Sequence, residues 1–137
     1  MSKIQLEIIT PEKVVLSEEV DSVTIPAQEG EVTILPEHIP LFTRVIPGEI
    51  KYKAGKGEQF MAVQEGFLEV LNDKVNIITN YAVRSEEIEV AKVEAAKKRA
   101  EQQLSEKKGE ADFAIAEAEL RKSILELKVA RRRRGAN

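Results

Sequence analysis

The distribution of proline along the 137-residue chain is the feature that most constrains its fold. All five prolines lie between Pro11 and Pro47, and none follows. Because proline removes a backbone donor and breaks helices, the proline-containing part favours strands and turns. From Ser85 onward the chain is rich in Ala, Glu and Lys, which are strong helix formers. The sequence therefore predicts two domains of different architecture, residues 1–84 and residues 85–137.

Residues 1–84 carry the alternation that is typical of half-buried strands. Ile4, Leu6 and Ile8 are separated by polar residues, which is the two-residue period of a strand with one face in a core. Further segments of this kind span residues 20–25, 49–53, 58–63, 67–71 and 74–79. Asn72-Asp73 is a hairpin turn signal between the last two. Short, closely spaced strands predict a β-sandwich or a barrel.

Residues 86–134 predict two helices that form an antiparallel hairpin. Ser85 is the predicted N-cap, followed by acidic residues that suit the positive end of a helix. Lys107-Lys108-Gly109 predicts that the first helix ends in a left-handed glycine cap. The predicted apolar stripes are Val90, Val93, Ala96, Ala100 and Leu104, widened by Ile88, Ala91 and Ala95, and then Phe113, Ala116, Leu120, Ile124 and Leu127.

Alanine dominates the first of these stripes. Burying alanine gains little, because each missing methylene forfeits about 0.8 kcal/mol of transfer free energy. Helices with high intrinsic propensity and weak mutual adhesion could dock elsewhere, which favours a conformational switch. The alternative is a static hairpin folded on the sandwich.

Composition excludes several classes of function. The chain has no Cys and a single His, His38, which excludes disulfide frameworks, iron–sulfur clusters, thiol catalysis and multi-histidine metal sites. No phosphate-binding glycine loop, nucleophile elbow or distinct carboxylate pair occurs. We therefore expect no catalytic residue, no metal and no cofactor. The start lacks the layout of a signal peptide and apolar runs are short, so we expect membrane association only through a complex.

A cationic segment ends the chain. Residues 121–137 contain seven basic residues, including Arg131, Arg132, Arg133 and Arg134, against the single acidic residue Glu126. One interpretation is a solvated helix end that suits the helix dipole. The other is a surface that attracts an acidic partner. Because no aromatic residue lies among the arginines, base stacking has no platform, and an acidic protein is favoured over nucleic acid.

Three stretches resemble one family, the epsilon subunits of bacterial F-type ATP synthases (delta in mitochondrial nomenclature). Gly30-Glu31 followed by residues 34–41 is similar to the family's G-E-x-G-I-L-P-G-H-x-P-L, with Thr33 and Glu37 in place of two glycines. Residues 66–70 with Lys74-Val75 are similar to its G-G-F-L-E-V hairpin. The Ala-, Lys- and Glu-rich region after residue 85 is the third stretch. The two replaced glycines suggest local changes in turn geometry.

The resemblance implies an antiparallel sandwich of about ten short strands followed by a two-helix hairpin. It implies a non-catalytic rotor subunit of the central stalk of a proton-translocating ATP synthase, coupling the c ring to the catalytic head. The implied partners are the gamma subunit, the c-ring subunits and, with the helices extended, the alpha and beta subunits. The helical region would then inhibit ATP hydrolysis. The implied location is peripheral, at the cytoplasmic face of the bacterial plasma membrane.

The same resemblance assigns residues to these contacts. Glu29, Gly30, Glu31 and His38 would contact the c ring or gamma, and the basic residues 131–134 would face an acidic loop of beta. Some family members bind ATP through an I/L-D-x-x-R-A motif, which corresponds to Ile88, Glu89 and Lys92 here, with Arg99 nearby. Lysine cannot reproduce the bidentate contact of arginine, so we expect weak or absent ATP binding.

Other classes of function stay open at this point. An adaptor or chaperone-like module could use the same sandwich and hairpin, and would fail to co-purify with gamma. A nucleic-acid binder would bind in a salt-sensitive way through the arginines. An enzyme would lose turnover on replacement of His38, although a loop or interface role fits this residue better.

Overall fold

A computed structural model of the chain describes residues 2–55, 57–106 and 109–135, the last three of these as backbone only. The described residues divide into two compact units, one ending at Arg84 and the other beginning at Ser85. The first, the β unit, is built from strands and the second, the helical unit, from helices. The fold class predicted from the sequence is thereby confirmed.

The described part of the β unit forms ten strands in one continuous sheet. The strands are β1 (Ile4–Ile9), β2 (Val14–Val20), β3 (Ser22–Ala27), β4 (Gly30–Ile34), β5 (Leu41–Val45), β6 (Gly48–Ala54), β7 (Gly57–Val63), β8 (Gly66–Leu71), β9 (Lys74–Thr79) and β10 (Ala82–Arg84). Their order in the sheet is β10-β7-β6-β3-β5-β8-β9-β1-β2, with β4 paired to β3. All pairs are antiparallel except β1 with β9, which is parallel. This one parallel pair lies within the predicted antiparallel sandwich, and it joins two strands that are not consecutive in the chain.

The sheet curls so that the strands at its two ends, β10 and β2, approach each other. Arg84 Nη2 on β10 donates to the Val15 carbonyl on β2 at 3.3 Å. Such curling limits the exposed sheet edge that could pair with other chains.

The core follows the predicted alternation. Ile4, Leu6 and Ile8 are fully buried while their neighbours along β1 are half-buried. The same alternation runs through β3 and β9. The predicted hairpin turn is also present, since Asn72 and Asp73 both have positive φ, of 50° and 60°, between β8 and β9. This matches the primed turns whose twist suits a hairpin.

One predicted strand, residues 20–25, is two strands. β2 ends at Val20 and β3 begins at Ser22, with Asp21 between them. The Asp21 carboxylate accepts from Lys3 Nζ at 2.8 Å and from the Gly55 amide at 3.2 Å. The hydrogen bond from Lys3 and the positive charge of Lys3 lower the pKa of Asp21. The same hydrogen bond and the negative charge of Asp21 raise the pKa of Lys3. These contacts fix the chain where it changes strand.

The helical unit begins differently from the prediction. Residues Ser85–Glu87 form a 3₁₀ turn, and α1 spans Val90–Ser105. Glu89 occupies the N-cap position without a side-chain capping bond. Ser85 is not the cap, because α1 begins five residues later, and its Oγ donates to the adjacent Glu86 carboxylate at 3.1 Å.

The connection between the helices also departs from the prediction. α1 ends at Ser105, and the next residue, Glu106, is extended, so the helix stops before it reaches Gly109. The expected left-handed glycine cap was therefore wrong at Gly109, whose carbonyl instead accepts the Phe113 amide and opens α2 (Glu110–Gly135). Lys107 and Lys108 lie outside the described residues.

The buried faces of the two helices differ from the predicted apolar stripes. In α1, Ala100 is buried and the rest of the predicted stripe is half-buried, whereas Ala91 and Ala95 are exposed. In α2, Phe113 and Ile124 are exposed. Among the side chains of α2 that the structure describes, the buried ones are Ala116, Ser123, Glu126, Val129 and Ala130.

Candidate interaction surfaces

The predicted contact residues Glu29, Gly30 and Glu31 lie at the hairpin between β3 and β4. Ala27 pairs with Gly30, so Gln28 and Glu29 form a two-residue turn. Gly30 has φ 126°, a conformation that side-chain-bearing residues rarely adopt. Glu29 Oε1 accepts the Thr43 hydroxyl at 2.8 Å, which orients the turn against β5. The carboxylates of an exposed, braced turn are available to a partner.

His38 lies at the other end of β4, in the β4–β5 loop (residues 35–40). Its Nδ1 lies 2.6 Å from the Ile39 carbonyl, and because a carbonyl only accepts, Nδ1 carries the proton. This leaves Nε2 for another contact. Leu35 and Ile39 of the same loop are 56 % and 74 % exposed. The structure thus places His38 on an exposed apolar loop and the Glu29 turn at the opposite end of the strand.

The two positions where glycine was replaced differ in backbone geometry. Thr33 lies within β4, and its hydroxyl is 2.9 Å from that of Thr24 on β3. Glu37 has φ 68°, in the left-handed region that glycine adopts freely.

The β unit also carries an apolar sheet face, which we define as Phe42, Phe67 and Ile78 on β5, β8 and β9. Their exposed fractions are 69, 47 and 57 %. The Phe42 and Phe67 rings are stacked, with centroids 5.8 Å apart and an interplanar angle of 1°. Phe67 pairs with Ile78 across the sheet. Adjacent exposed apolar side chains of this size mark an interaction site rather than scattered surface residues.

A groove of about 350 Å³ adjoins this face. Its lining combines Phe67 and Ile78 with Pro11, Arg44, Glu65, Gly66, Thr79 and Asn80. Arg44 Nη2 and Glu65 Oε2 form an exposed ion pair at 3.9 Å at its edge. An apolar floor with charged edges suits an inserted side chain of a protein partner.

Sequence reasoning missed the apolar sheet face, although a signal for it exists. In β8 the sequence Phe67-Leu68-Glu69-Val70-Leu71 places apolar residues on both faces of the strand. An antiparallel strand with one solvated face should alternate apolar and polar residues. The exposed members, Phe67 and Leu71, break that alternation.

The cationic end belongs to α2. Arg131 and Arg132 are exposed, while the side chains of Arg133 and Arg134 lie outside the described residues. Arg131 also lines a small groove with Val90 and Glu94 of α1 and with Leu127 and Ala130 of α2. Since the start of α1 meets the end of α2 there, the helices are antiparallel, as predicted.

The candidate nucleotide residues form no obvious cradle. Ile88 is buried before α1, and Arg99 is an exposed residue within the helix. Lys92 Nζ pairs with Glu89 Oε2 at 3.1 Å. This ion pair is exposed to solvent, and the weak or absent ATP binding stays a prediction.

Two features are absent from the described residues. These residues contain no group of His, Asp and Glu that could hold a metal ion. Within the same residues, neither helix is apolar enough over the length needed to cross a membrane.

Family models match both units. Residues 3–85 match the model described as ATP synthase, Delta/Epsilon chain, beta-sandwich domain. Residues 86–131 match ATP synthase, Delta/Epsilon chain, long alpha-helix domain. Together these matches span nearly the whole chain.

Named relatives agree with the family models. The chain is 45 % identical over 128 residues to an ATP synthase epsilon chain of Syntrophobacter fumaroxidans, covering 93 % of this chain and 96 % of that one. It is 46 % identical over 135 residues to one of Dehalococcoides mccartyi, covering 98 % and 96 %.

Solved structures share the fold at lower identity. A chain in a cryo-EM structure of the Euglena gracilis mitochondrial ATP synthase superposes with a TM-score of 0.69 at 24 % identity, covering 99 % of this chain and 82 % of that one. A chain from the central stalk and c ring of the Tetrahymena thermophila enzyme gives 0.60 at 16 % identity, covering 94 % and 97 %.

Proposed function

The chain belongs to the ATP synthase delta/epsilon family, and on that premise we propose that it is a central-stalk subunit of a proton-translocating F-type ATP synthase. In this role it couples the c ring to the catalytic head and inhibits ATP hydrolysis through its C-terminal helices. It is an accessory subunit, and catalysis belongs to other chains of the complex. The apolar sheet face of a unit whose core is already complete is the observation that carries a partner-binding role.

The apolar sheet face is the proposed contact with the gamma subunit. Phe42 and Phe67 are held on neighbouring strands, so little side-chain entropy would be lost when a partner covers them. Rigid aromatic side chains at the centre of an interface carry much of its binding energy. The adjacent groove with Arg44 and Glu65 supplies a polar edge.

Replacing Phe67 by serine tests this contact. Phe67→Ser is expected to weaken binding to gamma about tenfold, the ratio equivalent to 1.4 kcal/mol. Phe113→Ser in the helical unit is the matched control, because the two phenylalanines are 47 % and 49 % exposed. Equal binding of both variants and the unmodified chain, measured by titration onto gamma, would remove the apolar sheet face from the interface.

The turn with Glu29, Gly30 and Glu31, and the β4–β5 loop with His38, are the proposed contacts with the c ring. Both are exposed and braced, the turn by Thr43 and the loop by the His38–Ile39 bond. The peripheral position at the cytoplasmic face of a bacterial plasma membrane follows from this contact. Loss of ring retention on Glu31→Lys, with binding to gamma unchanged, is the expected result.

The helical unit is the proposed inhibitory element. Its buried positions are mostly small or polar, so a rearrangement sacrifices little apolar burial. Arg131 and Arg132 are exposed near its end and suit an acidic loop of the beta subunit, with alpha as its neighbour. A chain ending at Arg84 should bind the head without inhibiting hydrolysis.

The electrostatic part has its own test. Replacement of residues 131–134 by glutamine should weaken inhibition, and added salt should weaken inhibition by the unmodified chain. An unchanged inhibition curve would transfer the role to helix packing. Titration with ATP and Mg²⁺ is expected to give no micromolar isotherm, because Lys92 cannot make the bidentate contact that an arginine would make.

A further inference from the structure

We propose that Asp73 is a positioning residue that holds the β4–β5 loop in the shape in which it contacts the c ring. This inference rests on the proposed ring contact of that loop. It concerns a residue of the β8–β9 turn, far from the loop in the sequence, to which the sequence analysis assigned no role beyond the hairpin turn. The structure joins the two segments through one hydrogen bond.

The loop contains a conformation that its sequence disfavours. Glu37 has φ 68°, and for a residue with a side chain the left-handed region is costly compared with glycine. Such a conformation persists only where its surroundings hold it. The loop therefore needs a restraint at Glu37.

Asp73 provides this restraint. The Glu37 amide donates to Asp73 Oδ1 at 2.6 Å, a short bond to a carboxylate of the kind that is stronger than a neutral one. Asp73 is itself anchored, because its carbonyl accepts the Gln5 amide of β1 at 2.9 Å. The carboxylate is thus fixed to the sheet and reaches out to the loop.

The restrained loop presents its apolar side chains to solvent. Leu35 and Ile39 flank the left-handed residue and are both exposed. Pro36 and Pro40 limit the backbone on either side, and His38 binds the Ile39 carbonyl. Because a pre-ordered loop loses little entropy on binding, its shape contributes directly to affinity for the ring.

Loss of the Asp73 carboxylate should therefore let Glu37 relax out of the left-handed region and displace Leu35 and Ile39. Two variants of Asp73 distinguish loss of its hydrogen bond to Glu37 from distortion of the β8–β9 turn. Asp73 has φ 60°, which glycine adopts more readily than aspartate, so Asp73→Gly keeps or improves the turn while removing the acceptor. Asp73→Asn keeps an acceptor oxygen at the same position.

The experiment uses the full-length chain and two preparations of the ATP synthase depleted of this subunit, one with the c ring and one being the ring-free head with gamma. Affinity for each is measured by titration. Asp73→Gly is expected to bind the ring-containing complex about tenfold more weakly and the ring-free head unchanged. Asp73→Asn should match the unmodified chain in both.

Glu37→Gly provides a rescue that a purely structural role would not predict. Glycine occupies the left-handed region without a restraint, so Glu37→Gly in the Asp73→Gly background should restore most of the lost affinity. Amide exchange in the isolated full chain gives an independent reading. The Glu37 amide should be protected in the unmodified chain and in Asp73→Asn, and should exchange freely in Asp73→Gly.

Three results would overturn the inference. The first is Asp73→Gly binding as tightly as the unmodified chain to the ring-containing complex, and the second is an equal loss with the ring-free head. The third is failure of Glu37→Gly to rescue. If Ile39→Ser and His38→Ala bind the ring-containing complex as tightly as the unmodified chain while Asp73→Gly binds it more weakly, the proposed loop contact fails and the positioning role fails with it. If Ile39→Ser and His38→Ala weaken binding to the ring-containing complex while Asp73→Gly does not, only the positioning role fails.

Discussion

The two units bury different kinds of side chain. Large aliphatic residues fill the β unit and are almost completely inaccessible: Ile4, Leu6, Ile8, Ile25, Ile34, Ile50, Met61, Leu68 and Ile77. The buried residues of the helical unit are mainly small or polar: Ser85, Ile88, Ala100, Ala116, Ser123, Glu126, Val129 and Ala130. Apolar area removed from water scales with stabilisation, so the first unit has the stronger packing.

This difference separates a scaffold from an element suited to rearrangement. The β unit carries the proposed interaction surfaces on strands and turns that its core holds in place. The helical unit depends more on the propensity of Ala, Glu, Lys and Leu for helix than on a packed seam. Four predictions test how far this contrast holds, and both tyrosines, Tyr52 and Tyr81, report on the β unit alone.

Glycine replacements give the largest expected contrast. A Cβ added at Gly66 would collide with the Ile78 carbonyl oxygen and lie 2.8 Å from Thr79 Cα, whereas one at Gly109 meets nothing within 4 Å. Gly66→Ala should destabilise the β unit by about 4 kcal/mol or more, since backbone atoms must move. Gly109→Ala should cost only about 1 kcal/mol or less, because it loses the preference of a helix N-cap for glycine over alanine but moves no neighbouring atom. Urea unfolding followed by tyrosine fluorescence and by helical circular dichroism measures both.

Leucine truncation in β8 tests the β core next. Leu68 is fully buried and Leu71, on the opposite face of the same strand, is 48 % exposed. Leu68→Ala should cost about 3 kcal/mol through lost burial and the cavity left behind. Leu71→Ala, with the same chemical change, should cost less than about 1 kcal/mol. Similar shifts of the tyrosine-detected midpoint for the two would show that the strand does not separate a core face from a solvent face.

Alanine-to-glycine changes in α2 test the helical unit. Ala118→Gly on the exposed face should cost about 1 kcal/mol through propensity alone. At the buried Ala116 the lost methyl adds about 0.8 kcal/mol, so the total should approach 2 kcal/mol. A much larger cost at Ala116, seen in thermal loss of helicity, would indicate a tightly packed seam and contradict the weak cohesion proposed here.

The two-unit division and most strands could be predicted from local sequence patterns. Strands β2 and β10 and the pairing of β1 with β9 could not. β2 contains the polar run Ser17-Glu18-Glu19 and lies at the sheet edge, so it lacks the alternation that predicts a strand. β10 has three residues, too few for any period to show. The parallel pairing of β1 with β9 joins segments about seventy residues apart, and no local signal encodes such a partner.

The candidate surfaces also divide into those that could be selected from the sequence and those that require the folded structure. The contacts of the Glu29 turn and of the half-buried His38 were implied by the family resemblance and stay predictions. The stacking of Phe42 on Phe67 needs the register of β5 against β8. The bond from the Glu37 amide to Asp73 joins residues 36 positions apart, so only the folded chain reveals it.

The smallest expected effect comes from the exposed ion pair of Lys3 and Asp21, which lies at a strand junction of the β unit. Hydrogen bonding and charge lower the pKa of Asp21 below 3.8 and raise that of Lys3 above 10.5. Because the pKa of Asp21 is lowered on folding, its carboxylate stabilises the fold above pH 3.8, and this contribution is lost as the pH falls through the pKa in the folded state. Because the pKa of Lys3 is raised on folding, its ammonium group stabilises the fold below pH 10.5, and this contribution is lost as the pH rises through the pKa in the folded state. The urea midpoint of Asp21→Asn should therefore lie slightly below that of the unmodified chain throughout the neutral range and converge with it in strong acid or strong base. Since both side chains are exposed, added salt should shrink the neutral difference. A difference that persisted unchanged in acid would assign the effect of Asp21 to its bond with the Gly55 amide, which asparagine would then fail to replace, rather than to its charge.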